Sequence, residues 1–216
     1  MTATQVKICG LKNQAALEAA LAGGADFVGL VFFPPSPRNI SPADAADLAA
    51  VARGRAKIVA LLVDADDAWI DAVVAAVDPD YLQLHGDEPV DRVREIRQRW
   101  GRNVIKAVKV KTKTDVEAAE TYRDVADMLL FDARPPKGAD RPGGHGTAFD
   151  WSILGAADHP FMLSGGLTPE NVAGAIRATG ARMVDVSSGV ESAPGMKAPA
   201  LIGRFLRAAK GAKQGA

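Results

Sequence analysis

Short apolar segments recur along the chain and alternate with longer amphipathic ones. The apolar segments are rich in β-branched residues and nearly free of polar interruptions, a pattern typical of strands buried on both faces of a parallel sheet. This pattern predicts eight strands, which begin at Gln5, Asp26, Lys57, Asp80, Asn103, Asp127, Pro160 and Arg182.

The intervening stretches place apolar residues at helical spacing, most clearly over 69–77, 93–100 and 201–206. Two pairs, Ser41-Pro42 and Thr168-Pro169, combine a capping residue with a proline and predict the first residues of helices. Glycines that often terminate helices follow several of these stretches. They are Gly23, Gly54, Gly101 and Gly180.

Alternating strands and helices fit either a closed barrel or an open doubly wound sheet. Eight strand–helix units in 216 residues leave almost no room for a second domain. No G-x-G-x-x-G turn follows the first strand, although many open dinucleotide-binding sheets have one. We therefore predict an α/β protein with a single (βα)8 TIM barrel over residues 1–210, a parallel eight-stranded closed sheet, and a flexible C-terminal tail over 211–216.

The charge balance indicates which classes of partner the chain is not expected to bind. The 26 basic and 26 acidic residues give no net charge, which argues against nucleic acids and anionic membranes as partners. No uncharged stretch approaches the ~20 residues that span a bilayer, and no secretory signal is apparent. A single cysteine rules out an intrachain disulfide, so we expect a reducing compartment, the cytoplasm. Ordinary polar helix faces favour a monomer over a homodimer.

In such barrels the active site lies in the loops that follow the strands. The first strand ends at Cys9, a candidate base or nucleophile, or alternatively a small buried hydrophobe. The sixth ends at Asp132, where burial favours the protonated carboxyl that acts as a general acid; a helix cap or a loop ion pair is the alternative. Arg38, in the proline-rich loop after the second strand, suits capture of a carboxylate or phosphate unless it is an ordinary surface arginine.

Polar residues near other strand ends extend this set. Gln83 and His85 share strand parity and therefore point the same way. His85 is a candidate proton carrier or hydrogen-bond donor, or a satisfied core histidine. We expect Lys7 and Asp185 to line the same pocket. No histidine pair has metal-ligand spacing, so no metal site is predicted.

Glycine-rich turns follow the seventh and eighth strands, where barrels of this kind commonly bind phosphate. Two ordinary turns are the alternative. The predicted phosphate-binding residues are Gly165, Gly166, Ser188 and Gly189. A long loop over 133–149 contains Gly144 and Gly146, whose backbone could approach a ligand closely.

Seven segments occur in one order along nearly the whole chain: VKICGLKN, FFPPSPRNIS, LQLHGDE, LLFDARPP, GGHGTAFDW, LSGGLTPENV and VDVSSGVE. Together they closely resemble the phosphoribosylanthranilate isomerase family of tryptophan biosynthesis. The resemblance implies a cofactor-free aldose–ketose isomerase on a (βα)8 barrel. Its substrate would be N-(5-phosphoribosyl)anthranilate, converted by an Amadori rearrangement to 1-(2-carboxyphenylamino)-1-deoxyribulose 5-phosphate.

The resemblance also implies a role for each matching residue. Cys9 corresponds to the general base, Asp132 to the general acid and Arg38 to the group that holds the anthranilate carboxylate. The two glycine turns correspond to the phosphate site. His145 stands where the family's glycine loop usually has threonine, which leaves the hydrogen bonding of that loop open.

Three other functions suit a phosphate-binding barrel. A lyase resembling indole-glycerol-phosphate synthase needs a catalytic lysine, for which Lys7 or Lys106 could serve. The histidine-pathway isomerase performs the same rearrangement with two aspartates, and Cys9 stands where the first would be. A non-catalytic barrel that binds a phosphorylated metabolite needs the turns alone. The presence of both Cys9 and Asp132 favours isomerisation.

Overall fold

The computed structural model describes residues 4–133, 150–157 and 159–212. Within them, eight parallel strands follow one another around a closed barrel, and the eighth pairs with the first. The strands are β1 (Gln5–Cys9), β2 (Phe27–Val31), β3 (Lys57–Leu62), β4 (Tyr81–Leu84), β5 (Asn103–Val110), β6 (Met128–Ala133), β7 (Phe161–Leu163) and β8 (Met183–Val186). The TIM-barrel prediction and all eight predicted strands are confirmed.

Helices pack around the outside of the barrel. They are α1 (Gln14–Ala22), α2 (Pro42–Ala52), α3 (Asp67–Val77), α4 (Val90–Trp100), α5 (Lys113–Ala119), α6 (Val172–Thr179) and α7 (Pro199–Lys210). A 3₁₀ segment, Trp151–Ala156, lies between β6 and β7, and a second, Ser188–Val190, follows β8. A short antiparallel hairpin of β9 (Glu191–Ala193) and β10 (Met196–Lys197) then precedes α7. None of the helices in the described ranges has the length and apolarity to cross a membrane.

One predicted helix start is confirmed and the other is wrong. Ser41 caps α2 and Pro42 occupies its first turn. The Thr168-Pro169 pair instead opens a turn, and α6 begins only at Val172. The reason is local hydrogen bonding. The Thr168 N–H donates to the Asn171 side chain (2.7 Å), and the Thr168 hydroxyl accepts from the Glu170 N–H (3.2 Å). These bonds hold residues 168–171 in a turn before the regular helix begins.

The alternation of side chains along each strand creates two cores. One set points outward and packs under the helices; it includes Ile8, Leu82, Phe131 and, from α7, Phe205. The other set fills the barrel interior and consists of Phe27, Val59, Ile105, Ala107, Leu130, Met162 and Met183. Near the carboxyl ends of the strands, a third small cluster joins Cys9 to Val31 and Leu61. The inward set therefore carries the residues at strand ends towards one mouth.

We predict that Phe205→Ala lowers the free energy of unfolding by about 3–5 kcal/mol, because it leaves a cavity where a fully buried ring joins α7 to the barrel. Equilibrium urea denaturation measures this loss. Leu201→Ala, at a half-buried position of the same helix, is the matched control and should cost clearly less. Equal losses for the two variants would contradict the assignment of Phe205 to the core.

Candidate active site

Cys9 lies at the carboxyl end of β1 with its thiol in the barrel interior, and Lys7, two residues earlier, points the same way. Both side chains depend on Gly29, which is paired with Cys9 on β2. A Cβ on Gly29 would lie 3.0 Å from the Cys9 sulfur and 3.2 Å from Lys7 Cε. Only a residue without a side chain leaves room for the thiol and the lysine to converge there.

Lys7 is fully buried, and its ammonium is held by a chain of polar groups from neighbouring strands. Lys7 Nζ donates to Asp185 Oδ1 on β8 (2.9 Å), and the Ser164 hydroxyl after β7 donates to Asp185 Oδ2 (3.2 Å). Asp185 therefore neutralises the buried charge, as a buried ammonium requires. The structure brings Lys7 and Asp185 together at the predicted mouth and adds Ser164 to them.

The groups around Cys9 shift the pKa of its thiol in opposite directions. Burial raises the pKa of the Cys9 thiol, and the carboxylate of Asp185 adds to that rise. The ammonium groups of Lys7 and Lys197 lower the pKa of the thiol, although burial outweighs them. The thiolate is thus destabilised by loss of water and stabilised by two nearby cations.

Asp132 ends β6 and is buried beside two other predicted residues. Its Oδ1 accepts a hydrogen bond from the N–H of Ala133 (2.9 Å), and its Oδ2 lies 3.3 Å from His85 Nε2. The other ring nitrogen of His85 lies 2.9 Å from the amide nitrogen of Gln83. With that amide donating, Nδ1 accepts and Nε2–H points at the carboxyl of Asp132. His85 therefore contacts the candidate acid rather than filling the core alone.

Asp132 and Cys9 lie at the same end of the barrel. Asp132 shares strand parity with Leu130, which lies in the barrel interior, and Cys9 lies in the interior cluster near the strand ends. Between them the rim is continuous: Ser164 contacts Asp185, and a Cβ on the following Gly165 would lie 3.1 Å from Asp132 Oδ1. A carboxyl and a thiol from strands far apart in sequence thus lie at the same end of the barrel interior.

Arg38 is a buried residue with a fixed orientation. Its Nε and Nη2 donate to the two carboxylate oxygens of Glu191 (2.7 and 2.8 Å), and Lys197 Nζ donates to Glu191 Oε1 (2.6 Å). Arg38 also packs against Gly10, where a Cβ would lie 2.8 Å from Arg38 Cδ. Two cations share one carboxylate, so this cluster keeps a net positive charge suited to an anionic group of a ligand.

Glu191 and Lys197 were missed by sequence reasoning. They lie on a hairpin of two very short strands, which are too brief to show a periodic pattern. Burial raises the pKa of Glu191, but hydrogen bonds and charge from Arg38 and Lys197 outweigh it, so the pKa of Glu191 lies below its ordinary value. Glu191 is therefore held as a carboxylate. The only signal available beforehand was its place at the end of the VDVSSGVE segment.

The two glycine turns predicted to bind phosphate lie against each other. Gly165 and Gly166 both have positive φ angles, +87° and +67°, which L side chains rarely adopt. Gly189 packs on the turn after β7 so closely that a Cβ would lie 1.8 Å from the Leu167 carbonyl oxygen. The turns after β7 and β8 are therefore in contact; phosphate binding at Gly165, Gly166, Ser188 and Gly189 stays a prediction. Gly144, His145 and Gly146 lie outside the described residues.

Lys106 does not enter this mouth. It lies on the outer side of β5, where its Nζ donates to Glu88 Oε2 (2.7 Å) and to the Gly86 carbonyl (2.9 Å). Lys7 is likewise engaged with Asp185. Neither of the two lysines considered for a lyase mechanism is a free amine at the pocket, which weighs against that alternative.

The family model for N-(5'-phosphoribosyl)anthranilate (PRA) isomerase matches residues 6–208. The chain belongs to this isomerase family. The enzyme of that name from Rhodopseudomonas palustris (strain BisA53) is 58% identical over 95% of both chains.

Solved structures of family members share the fold. The phosphoribosyl anthranilate isomerase of Thermotoga maritima superposes with a TM-score of 0.86 at 40% identity, covering 96% of this chain and 99% of its own. A second isomerase structure, in complex with reduced 1-(o-carboxyphenylamino)-1-deoxyribulose 5-phosphate, has a TM-score of 0.83 at 37% identity, with the same coverage. This chain therefore has both the family's sequence and its barrel.

We predict that Gly189→Ala raises KM for the substrate roughly tenfold, about the loss of one hydrogen bond to a charged group, and changes kcat less. The added methyl must push the turn after β7 away from the turn after β8. Steady-state kinetics measures both constants. Gly174→Ala is the matched control, because nothing lies within 4 Å of its new methyl. An unchanged KM for Gly189→Ala would show that these turns do not bind the substrate.

We predict that Glu191→Gln lowers the free energy of unfolding at pH 7 by about 3–5 kcal/mol, because two buried cations lose their shared carboxylate. The lowered pKa of Glu191 means that its stabilisation is present above the unfolded-state pKa and is lost as pH falls through the folded-state pKa. The gap between wild type and variant should therefore shrink below about pH 4.5. Urea denaturation across pH measures it, and a gap that widens on acidification would contradict the assignment.

Proposed function

We propose that this chain catalyses the Amadori rearrangement of N-(5-phosphoribosyl)anthranilate in tryptophan biosynthesis, with Asp132 as general acid and Cys9 as general base. Membership of the isomerase family supports the reaction. The observation that supports the roles is their position: a buried carboxyl and a buried thiol lie at inward-facing positions where β6 and β1 end. A thiol beside an ammonium can remove a proton, and a carboxyl beside a histidine can deliver one.

The reaction begins with opening of the ribose ring. Asp132 donates its proton to the ring oxygen, the bond between that oxygen and C1′ breaks, and the nitrogen lone pair forms a protonated Schiff base at C1′. His85 lies 3.3 Å from Asp132 and keeps the carboxyl turned towards the pocket. The Ala133 N–H holds the other carboxyl oxygen, so the acid has one preferred orientation.

Proton abstraction follows at C2′. The thiolate of Cys9 accepts this proton, and the electrons of the C–H bond form a C1′–C2′ double bond while neutralising the Schiff-base nitrogen. The resulting enolamine becomes the ketone when a proton is added at C1′ and the C2′ hydroxyl loses its own. No hydride leaves the substrate, so the acid and the base suffice for this proton chemistry.

The two anionic ends of the substrate position these carbons. In this proposal Arg38, held by Glu191, binds the anthranilate carboxylate, and its remaining guanidinium N–H groups are donors for it. In the same proposal the phosphate binds at the glycine turns after β7 and β8. Binding both ends places the sugar carbons between acid and base. The compound in the related isomerase complex carries both a carboxyl and a phosphate group, as this proposal requires of the ligand.

We predict that Cys9→Ala and Asp132→Asn each lower kcat by roughly 10²–10⁴-fold, the usual contribution of one acid or base. Loss of anthranilate fluorescence as the substrate is converted measures the rate. Asp91→Asn makes the same chemical change at an exposed residue of α4 and should leave the rate unchanged. A Cys9→Ala or Asp132→Asn enzyme with wild-type kcat would remove that residue from the mechanism.

The remaining expectations concern the oligomeric state, the partners and the cellular location. We propose a monomer rather than a homodimer, no nucleic-acid or membrane partner, and a cytoplasmic location. The balanced charge and the biosynthetic role of the family support these expectations.

A further inference from the structure

A fully buried lysine lies next to the thiol, and the proposed reaction assigns it no step. Lys7 has no exposed surface, and burying an ammonium is costly without a compensating role. Its partner Asp185 is also buried. A pair of apolar residues would fill the same space without the free-energy cost of removing two charges from water. The pair must therefore be explained by what lies beside it.

The groups around Cys9 come from five elements. On its own strand β1 lies Lys7, on β8 lies Asp185, and from the hairpin comes Lys197. The strands β2 and β3 present groups that do not titrate, chiefly Gly29 and Leu61. The carbon chain of Lys7 runs past Gly29 beside the sulfur, and its charge acts on the thiol more strongly than that of Lys197.

The remaining contacts fix where that charge sits. Asp185 Oδ1 accepts from Lys7 Nζ at 2.9 Å, and Ser164 donates to the second oxygen, so the carboxylate cannot turn away. The pair Lys7–Asp185 also spans two strands in register, which leaves the ammonium little freedom. A fixed cation beside a desolvated thiol stabilises its anion more than a mobile one would.

We propose that Lys7 is a positioning residue whose ammonium offsets part of the cost of ionising the buried Cys9 thiol, with Asp185 and Ser164 fixing the ammonium. The proposal deepens the proposed function and rests on Cys9 being the base. Lys7 neither gains nor loses a proton in the cycle. Cys9 releases its thiol proton to solvent, the thiolate takes the C2′ proton of the substrate, and the ammonium remains its counter-charge throughout.

The test is a titration of the free protein without substrate. Cys9 is the single cysteine of the chain, so ultraviolet absorption of the thiolate reports this one group once a Cys9→Ser protein is subtracted as blank. For Lys7→Met we expect the ionisation midpoint to move to higher pH by about one unit or more, a tenfold or larger loss of thiolate at a given pH. The alkaline-rising limb of kcat/KM should move with it.

Lys106→Met is the matched control. Lys106 is also a buried lysine paired with a carboxylate, but it lies on the outer side of β5, away from the thiol. Its replacement should disturb stability in a similar way and leave the Cys9 midpoint unchanged. An equal shift in both variants would mean that the effect is structural, and would overturn the proposal.

Lys7→Gln provides a second variant. It removes the positive charge and keeps an N–H donor for Asp185, so the midpoint should again move to higher pH. If Lys7→Met fails to fold, this variant decides. An unchanged or lowered midpoint in a folded protein of either variant would overturn the proposal.

These outcomes are separate from failure of the proposed function. The titration needs no substrate, so its result stands whatever the enzyme turns over. Absence of isomerase activity in the wild type would refute the function, while a shifted thiol midpoint would still establish the pairing of Lys7 with Cys9. Normal activity with an unshifted midpoint would refute only the role of Lys7.

Discussion

The ion pair between Lys7 and Asp185 lies across the seam where the barrel closes. The two residues are paired in register on β1 and β8, and their charged groups are 2.9 Å apart in a space closed to water. Such a pair survives only where the backbone holds both groups in good geometry and other hydrogen bonds complete it. Closure of the sheet and burial of the pair therefore depend on each other, and the thiol of Cys9 lies directly beside them.

From this seam, polar contacts pass along the rim of the mouth. Ser164 joins β7 to Asp185, and the backbone at Gly165 passes so close to Ala133, the residue after Asp132, that a side chain would not fit. The rim thereby links the strands that carry Cys9 and Asp132. In the proposed reaction the acid acts on the ring oxygen and the base on the C2′ proton, so the two groups must reach different atoms.

A second charged cluster lies at Arg38, which the proposed function assigns to the substrate carboxylate rather than to the reacting atoms. Glu191 lies between Arg38 and Lys197, so the guanidinium is fixed before any ligand arrives. Prior orientation reduces the entropy lost on binding, and the excess positive charge selects an anion. The short hairpin after β8 brings Glu191 and Lys197 to the loop that follows β2.

The sequence by itself determined the barrel, because alternating apolar and amphipathic segments admit few arrangements for eight short buried strands. It also determined Cys9, Asp132 and His85 as candidates, since parallel strands deliver their carboxyl ends to one face. Only the tertiary structure decided their partners. Lys7 meets Asp185 across 178 positions of sequence, and Glu191 meets Arg38 across 153. Such pairings depend on strand register and loop path, which no local pattern encodes, and for the same reason Lys106 lies outside the pocket.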